Sequence, residues 1–157
     1  MRASRGWRSV RLAALVLVAP VLGSACAGGR APAASQGRDS PRQAVSAFLD
    51  AAKQRDVEAM AKVWGSQNGS ALNTMAEGER DKRILIIQCH LQHDRSTVVA
   101  EFPGDDGRRV FRVELTFQGV TLSTTVAAVK GPAERWFVES ADIEKTAEFC
   151  RRGGVGR

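Results

Sequence analysis

The sequence predicts one α+β domain in which helices come first and an antiparallel sheet follows. Between residues 41 and 94, apolar side chains recur with the 3.6-residue period of helices, whereas from Ser96 onward they alternate with polar ones. Short stretches rich in Gly, Pro and Asp separate the alternating segments, and such stretches form turns. We therefore expect three N-terminal helices packed on the apolar face of a four-stranded antiparallel sheet.

Two short amphipathic helices open the domain. Ser40 is a helix cap, Pro41 suits the first helical position, and Gln43 completes a capping box. The apolar face of this first helix consists of Val45, Phe48, Leu49 and Ala52. Asp56 is a second cap, and Gly65 ends the second helix. The apolar face of the second helix consists of Val57, Met60, Ala61 and Trp64.

A long polar connection, GSQNGSALNTMAEGE, is predicted between the second and third helices. The third helix covers residues 79–94, and its apolar face comprises Ile84, Ile87 and Leu91. The apolar run 84–87 is also compatible with the start of a buried strand. We favour the helix because residues 79–82 are good helix formers.

Four strands are expected from the alternation that begins at Ser96, at residues 96–102, 108–118, 120–130 and 135–142. The second of these alternates most clearly, with Phe111, Val113, Leu115 and Phe117 on one face. Residues 143–150 are expected to form a short helical turn that ends near Cys150. Residues 151–157, rich in Gly and Arg, are expected to be a disordered tail.

The first 25 residues have the pattern of a removable export signal. Four arginines and no acidic residue precede an apolar run from Leu12 to Leu22, and small residues close it. The run is about half the roughly 20 residues that a membrane-spanning helix needs. We therefore predict that residues 1–25 are a signal peptide and exclude them from the fold.

The stretch Leu22-Gly23-Ser24-Ala25-Cys26 resembles the lipobox of bacterial lipoproteins, with Gly23 where leucine is usual. The resemblance implies that Cys26 becomes the N-terminus, carries a lipid and attaches the protein to a membrane of the bacterial cell envelope. The alternative is ordinary signal-peptide cleavage after Ala25. Residues 26–39 are rich in Ala, Gly, Pro and Ser, which predicts a flexible, lipid-anchored tether.

The charge of the chain argues against nucleic acid as a partner. The formal net charge is +6, but four of the 23 basic residues lie in the predicted signal and all 17 acidic residues follow it. Nineteen basic and seventeen acidic residues then remain, with the signs interspersed. A nucleic-acid interface needs a basic stripe or patch. We therefore predict no nucleic-acid partner.

The element pattern of residues 40–150 resembles the NTF2-like superfamily, whose cystatin-like fold is a cone. The resemblance rests on the helix pair SPRQAVSAFLDAAKQRDVEAMAKVW and on the last strand RWFVESAD, which follows a Gly-Pro turn. It implies a curved sheet wrapped around a helix, with a pocket in the cone. The fold hosts enzymes, binders and scaffolds, so it does not imply one activity. The expected pocket residues are Trp64, His90, Phe111 and Trp136.

The cysteines and histidines of the domain are the candidates for chemistry. Cysteines of exported proteins tend to pair, so we expect a structural disulfide between Cys89 and Cys150. The alternative is two buried thiols that never meet. His90 and His93, three residues apart and beside Asp94, have the spacing of a metal site. No second ligand cluster accompanies them, so we predict neither a metal nor another cofactor.

These features favour a non-catalytic domain that binds a small apolar ligand, an envelope protein or a second copy of itself as a homodimer. The alternative is a small cone-fold enzyme, an isomerase, dehydratase or hydrolase, with His90 as acid and base. The chain has no tyrosine to donate a phenolic hydrogen bond. Glu101 and Glu114 fall on polar faces of their strands, so no titratable pair is predicted and no catalytic residue is assigned.

Overall fold

This computed structural model describes residues 36–154, which contain five α-helices, six strands and three short 3-10 helices. The helices are α1 (Pro41–Gln54), α2 (Val57–Val63), α3 (Ala71–Thr74), α4 (Glu77–His90) and α5 (Ala147–Gly154). The strands are β1 (Gly65–Ser66), β2 (Gly69–Ser70), β3 (Arg95–Pro103), β4 (Arg109–Phe117), β5 (Val120–Lys130) and β6 (Trp136–Ala141). The predicted signal peptide, Cys26 and residues 27–35 of the predicted tether lie outside the described residues.

The main sheet has four antiparallel strands in the order β3-β4-β5-β6, as the alternating sequence predicts. Each strand pairs with its neighbour in the chain, because the turns between them are short. A bulge at Val99 interrupts the β3–β4 pairing between Val98 and Ala100. The strands β1 and β2 form a separate two-stranded hairpin.

The core lies between one face of the sheet and helices α1, α2 and α4. Phe111, Val113 and Leu115 of β4 are fully buried on this inner face, as predicted from their spacing. The helices contribute the side chains that cover them, which include Val45, Phe48, Leu49, Met60, Ile84 and Leu91. A side chain of this size contributes roughly 1.5–3 kcal/mol when it is fully buried, so the inner face dominates the stability of the domain.

The two predicted helix caps are present. The Ser40 hydroxyl accepts a hydrogen bond from the Gln43 N–H, and the Asp56 carboxylate accepts one from the Ala59 N–H at 2.9 Å. The predicted end of the second helix was wrong by one residue. Trp64 is extended and forms a parallel bridge to Val138 of β6, so contact with the sheet edge ends the helix before Gly65.

The helices are not confined to the N-terminal half, which corrects the predicted three-helix plan. The third predicted helix is α4, but α5 follows the sheet and packs against α4, with Phe149 fully buried. Helix α5 also includes residues 151–154, so the predicted disordered tail was wrong there. None of the helices in residues 36–154 has the length and apolar character needed to cross a membrane.

Two segments predicted to lack regular contacts are ordered. The polar connection after α2 folds into the β1–β2 hairpin and the single-turn helix α3. Residues 36–39, predicted as part of the flexible tether, lie against the domain. The Gly37 N–H donates to Lys62 O at 2.8 Å, and Arg38 pairs with Trp136 in an isolated antiparallel bridge.

Candidate functional site

The four residues expected to line a pocket lie in different surroundings. Phe111 is buried in the core, and His90 Nδ1 lies 3.1 Å from Ile143 O. Trp64 Nε1 donates to Glu139 O at 3.4 Å. Trp136 lies at the β6 edge, with Lys130 Nζ 5.6 Å from its ring centroid. Each side chain is occupied in packing or in a contact to the backbone or a neighbouring side chain.

Cys89 and Cys150 form a disulfide in the structure, as expected. Their Cα atoms are 4.8 Å apart, and the bond joins the last turn of α4 to α5. The Gln92 amide donates to Cys89 O at 3.0 Å beside this bridge. The bond fixes α5, which places the Phe149 ring 5.7 Å from the Phe117 ring in an edge-to-face contact. It therefore cross-links two helices of the domain.

His93 is buried apart from His90 and has its own environment. Its Nδ1 donates to Leu91 O at 2.8 Å, whereas its buried Nε2 has no hydrogen-bond partner among the described residues. Burial lowers the pKa of His93, and the hydrogen bond to Leu91 opposes this. Lys53 lowers that pKa further, whereas Asp50 and Asp94 raise it. Residues 36–154 contain no group of three or more His, Cys, Asp or Glu placed to hold a metal ion.

A small cavity of about 80 Å³ lies where the β1–β2 hairpin, α3 and the β5–β6 turn meet the start of the described chain. Its polar lining consists of Gln36, Asn68, Ser70 and Asn73. Its apolar lining consists of Pro132, Ala133 and Phe137, and Gly69 completes the wall. All of these side chains are uncharged, so the cavity suits a neutral, hydrogen-bonding group.

The floor of the cavity is a network of amide and hydroxyl groups around Gln36, which is 2% exposed. Gln36 Oε1 accepts hydrogen bonds from the Ser70 hydroxyl and, at 2.7 Å, from Asn73 Nδ2. Gln36 Nε2 is 3.5 Å from Asn73 Oδ1, at the outer limit of a hydrogen bond. The floor therefore offers one amide donor and one carbonyl acceptor that are only weakly paired with each other.

Arg135 fixes this network from the other side. Its guanidinium donates to Gln36 O and Gly37 O at 3.2 Å each, and it also contacts the Asp39 carboxylate. A Cβ added to Gly37 would lie 2.8 Å from the Phe137 ring, and the φ of Gly37 is +64°. Only glycine fits this close approach without strain, and the approach fixes the position of Gln36 at the floor of the cavity.

The outer face of the sheet is a second candidate surface. Arg112 and Glu114 are exposed at the centre of this face on β4 and form no ion pair with other described residues. Their cross-strand neighbours are uncharged: Ala100 and Thr125 beside Arg112, and Thr97 and Ser123 beside Glu114. The centre of the face therefore carries small neutral side chains around one unpaired charge of each sign, and the larger, exposed Phe102 lies on the β3 strand at its edge.

Sequence reasoning did not find the cavity residues. Gln36 lies in a segment whose composition indicates a tether, and Asn68, Ser70 and Asn73 lie in a stretch that has the composition of a loop. The available local signal was the pair of asparagines around Gly69, which is typical of turns. In comparisons with known proteins, no family model, curated protein or solved structure matches this chain.

Proposed function

We propose that this protein is an exported, lipid-anchored, NTF2-like binding domain of the bacterial cell envelope that docks a second copy of itself through the outer face of its sheet. The lipobox-like sequence before Cys26 supports the anchor. The α+β order, with α1 and α2 against the inner face of the sheet, supports the NTF2-like assignment. The proposed role is docking without catalysis, and the proposal rests on one feature of the outer face.

An apolar ligand inside the cone has little support, because the space over the inner face is filled by the protein itself. Phe48, Leu49, Met60 and Phe111 are each at most 1% exposed there. The enzyme alternative has equally little support, since the contact of His90 Nδ1 with Ile143 O ties that imidazole to the backbone. Docking through a surface is thus the better supported form of binding.

The observation that carries the proposal is the pair of opposite charges, Arg112 and Glu114, at the centre of the outer face. Consider two copies that face each other across a two-fold axis, where the axis lies in the interface plane, passes over Val113 and runs perpendicular to β4. This symmetry would place Arg112 of each copy opposite Glu114 of the other. Such an arrangement is self-complementary, as a symmetric dimer requires. The surrounding small side chains, which include Thr97, Ser123 and Thr125, allow the two sheets to approach.

The dimensions of the face indicate a weak dimer. Four strands about 4.8 Å apart and about nine residues long cover roughly 19 by 30 Å. That projected area is smaller than the roughly 800 Å² that each partner contributes to a standard interface. Weak self-association suits a lipid-anchored protein, because attachment to one membrane raises the effective concentration of the copies.

Sedimentation velocity of the full-length chain in detergent micelles tests this docking. Arg112→Glu and Glu114→Arg each replace two attractive contacts with two repulsive ones, so each should weaken the dimer about tenfold or more. The double charge swap should restore it. Arg151→Glu, at an exposed position of α5, is the matched control and should leave the dimer unchanged. A wild-type chain that is monomeric up to about 1 mM, or a double swap without recovery, would contradict the proposal.

A further inference from the structure

We propose that the two copies dock in a single register, in which Arg95 of each copy lies against Phe102 of the other and both lipid anchors enter the same membrane. This inference rests on the proposed docking through the outer face and deepens it. It specifies a second pair of contacts, the register of the two sheets and the membrane on which the partner copy lies. Three features carry it: the order of the charges on β4, the spacing along β3, and the sheet edge at which the described chain begins.

The charges on β4 select one of the two symmetric ways in which the two sheets can face each other. In the dimer proposed above, the two-fold axis is perpendicular to β4 and brings Arg112 of each copy opposite Glu114 of the other. A two-fold axis parallel to β4 would bring Arg112 opposite Arg112 and Glu114 opposite Glu114. Both residues are exposed, and like charges placed opposite each other are destabilising. The perpendicular axis is therefore favoured, and with it each strand faces the same strand of the partner copy in the antiparallel direction.

The spacing of residues on β3 then creates a second pair of contacts. Arg95 pairs with Thr116, three positions beyond Val113 on β4, and both are on the outer face because Val113 points inward. Phe102 pairs with Val110, three positions before Val113. The axis over Val113 exchanges these two levels, so Arg95 of each copy lies opposite Phe102 of the other. Phe102 is 47% exposed and Arg95 is also exposed. A guanidinium over an aromatic ring is attractive, so this register gains two such contacts.

The same axis directs both chain starts to one end of the dimer. Arg38, two positions after the first residue that the structure describes, forms an antiparallel bridge to Trp136 at the outer edge of β6. Because the axis runs across the strands, the β6 edges of both copies lie at the same end of it. Cys26 and Gln36 are ten positions apart, which allows a reach of up to about 35 Å. Both anchors can therefore enter one membrane perpendicular to the axis, with the two β3 edges farthest from it.

Disulfide cross-linking of the lipidated full-length chain in phosphatidylcholine vesicles tests the register. Thr97 pairs with Glu114 and Ala100 with Arg112, so the proposed register places Thr97 of one copy opposite Ala100 of the other. Oxidation of a mixture of Thr97→Cys and Ala100→Cys chains should therefore join them well above the wild-type background. With the axis parallel to β4, Thr97 would instead lie opposite Ser123, which also pairs with Glu114. A mixture of Thr97→Cys and Ser123→Cys chains is thus the matched control, and stronger cross-linking in this mixture would overturn the register.

Sedimentation velocity of the full-length chain in detergent micelles tests the contact between Arg95 and Phe102. Arg95→Gln and Phe102→Ser should each weaken the dimer about fivefold or more, because each removes two guanidinium–ring contacts. The double variant should be no weaker than the weaker single variant, since both changes remove the same contacts, and additive losses would overturn the contact. Leu85→Ser removes a side chain that is 52% exposed on α4, on the inner side of the sheet. It is the matched control and should leave the dimer unchanged.

The outcomes separate this inference from the docking on which it rests. A dimer that responds to Arg112→Glu but not to Phe102→Ser, or that cross-links through Ser123→Cys, overturns the register and leaves the docking intact. A wild-type chain that is monomeric up to about 1 mM overturns the docking, and the register with it.

Discussion

Removal of the Cys89–Cys150 bridge should cost a substantial part of the stability of this small domain. The bond closes a span of 61 residues. In the chain-entropy model, −2.1 − 1.5R ln 61 gives about −14 cal/mol/K, or about 4 kcal/mol at 25 °C. Domains of this size are stable by only about 5–15 kcal/mol. We therefore expect Cys89→Ala/Cys150→Ala to lower the free energy of unfolding by about 3–4 kcal/mol.

Urea unfolding followed by circular dichroism measures this change, with non-reducing peptide mapping to establish the bond in the wild-type chain. The double variant avoids a free thiol that could pair with Cys26. Native-state hydrogen exchange should rise first in α5, since the bond links that helix to α4. A loss below about 1 kcal/mol in a wild-type chain proven to be bridged would refute the loop-entropy reasoning.

Two further predictions concern His93 and Gly37, the residue that follows Gln36. Burial lowers the pKa of His93 in the folded state, so as the pH falls the unfolded state takes up this proton before the folded state does. The contribution of His93 to the free energy of unfolding is therefore fully present above about pH 6.5 and is lost as the pH falls toward the folded-state pKa. In urea unfolding, the His93→Leu variant should not show this loss of stability at acidic pH. A free energy of unfolding that depends on pH as in the wild-type chain would contradict the prediction. Gly37→Ala should cost about 2 kcal/mol more than Gly107→Ala in the same assay, because both have positive φ but only Gly37 meets Phe137 and Trp136. Equal losses of stability in the Gly37→Ala and Gly107→Ala variants would contradict the close approach of Gly37 to Phe137.

The sequence predicted the elements whose signals are local. Ser40 and Asp56 cap their helices through side-chain bonds to residues three positions away, so the evidence lies within one turn. The alternation in β4 likewise predicts which side chains are buried, because strand geometry alone sets the period. Both signals can be identified without knowing which helices or strands pack against these residues.

Features set by distant contacts were not predicted. Gln36 and Gly37 are held by Lys62, Arg135 and Asn73, which are 25 to 99 positions away in the chain. The composition of residues 36–39 indicated a flexible tether, because no local sequence pattern indicates such distant contacts. In the same way, the spacing of Phe111 indicates that it faces inward. It does not reveal which helix residues pack against that ring.

Attachment to a membrane through Cys26 is the part of the proposed function on which the envelope role depends. Mass spectrometry of the protein extracted from the membranes of its native host is the most direct measurement. We expect an N-terminal peptide that begins at Cys26 and carries the mass of a thioether-linked diacylglycerol. A mature chain that begins at Ala27 or retains Met1, or one in which Cys26 is unmodified, would contradict it.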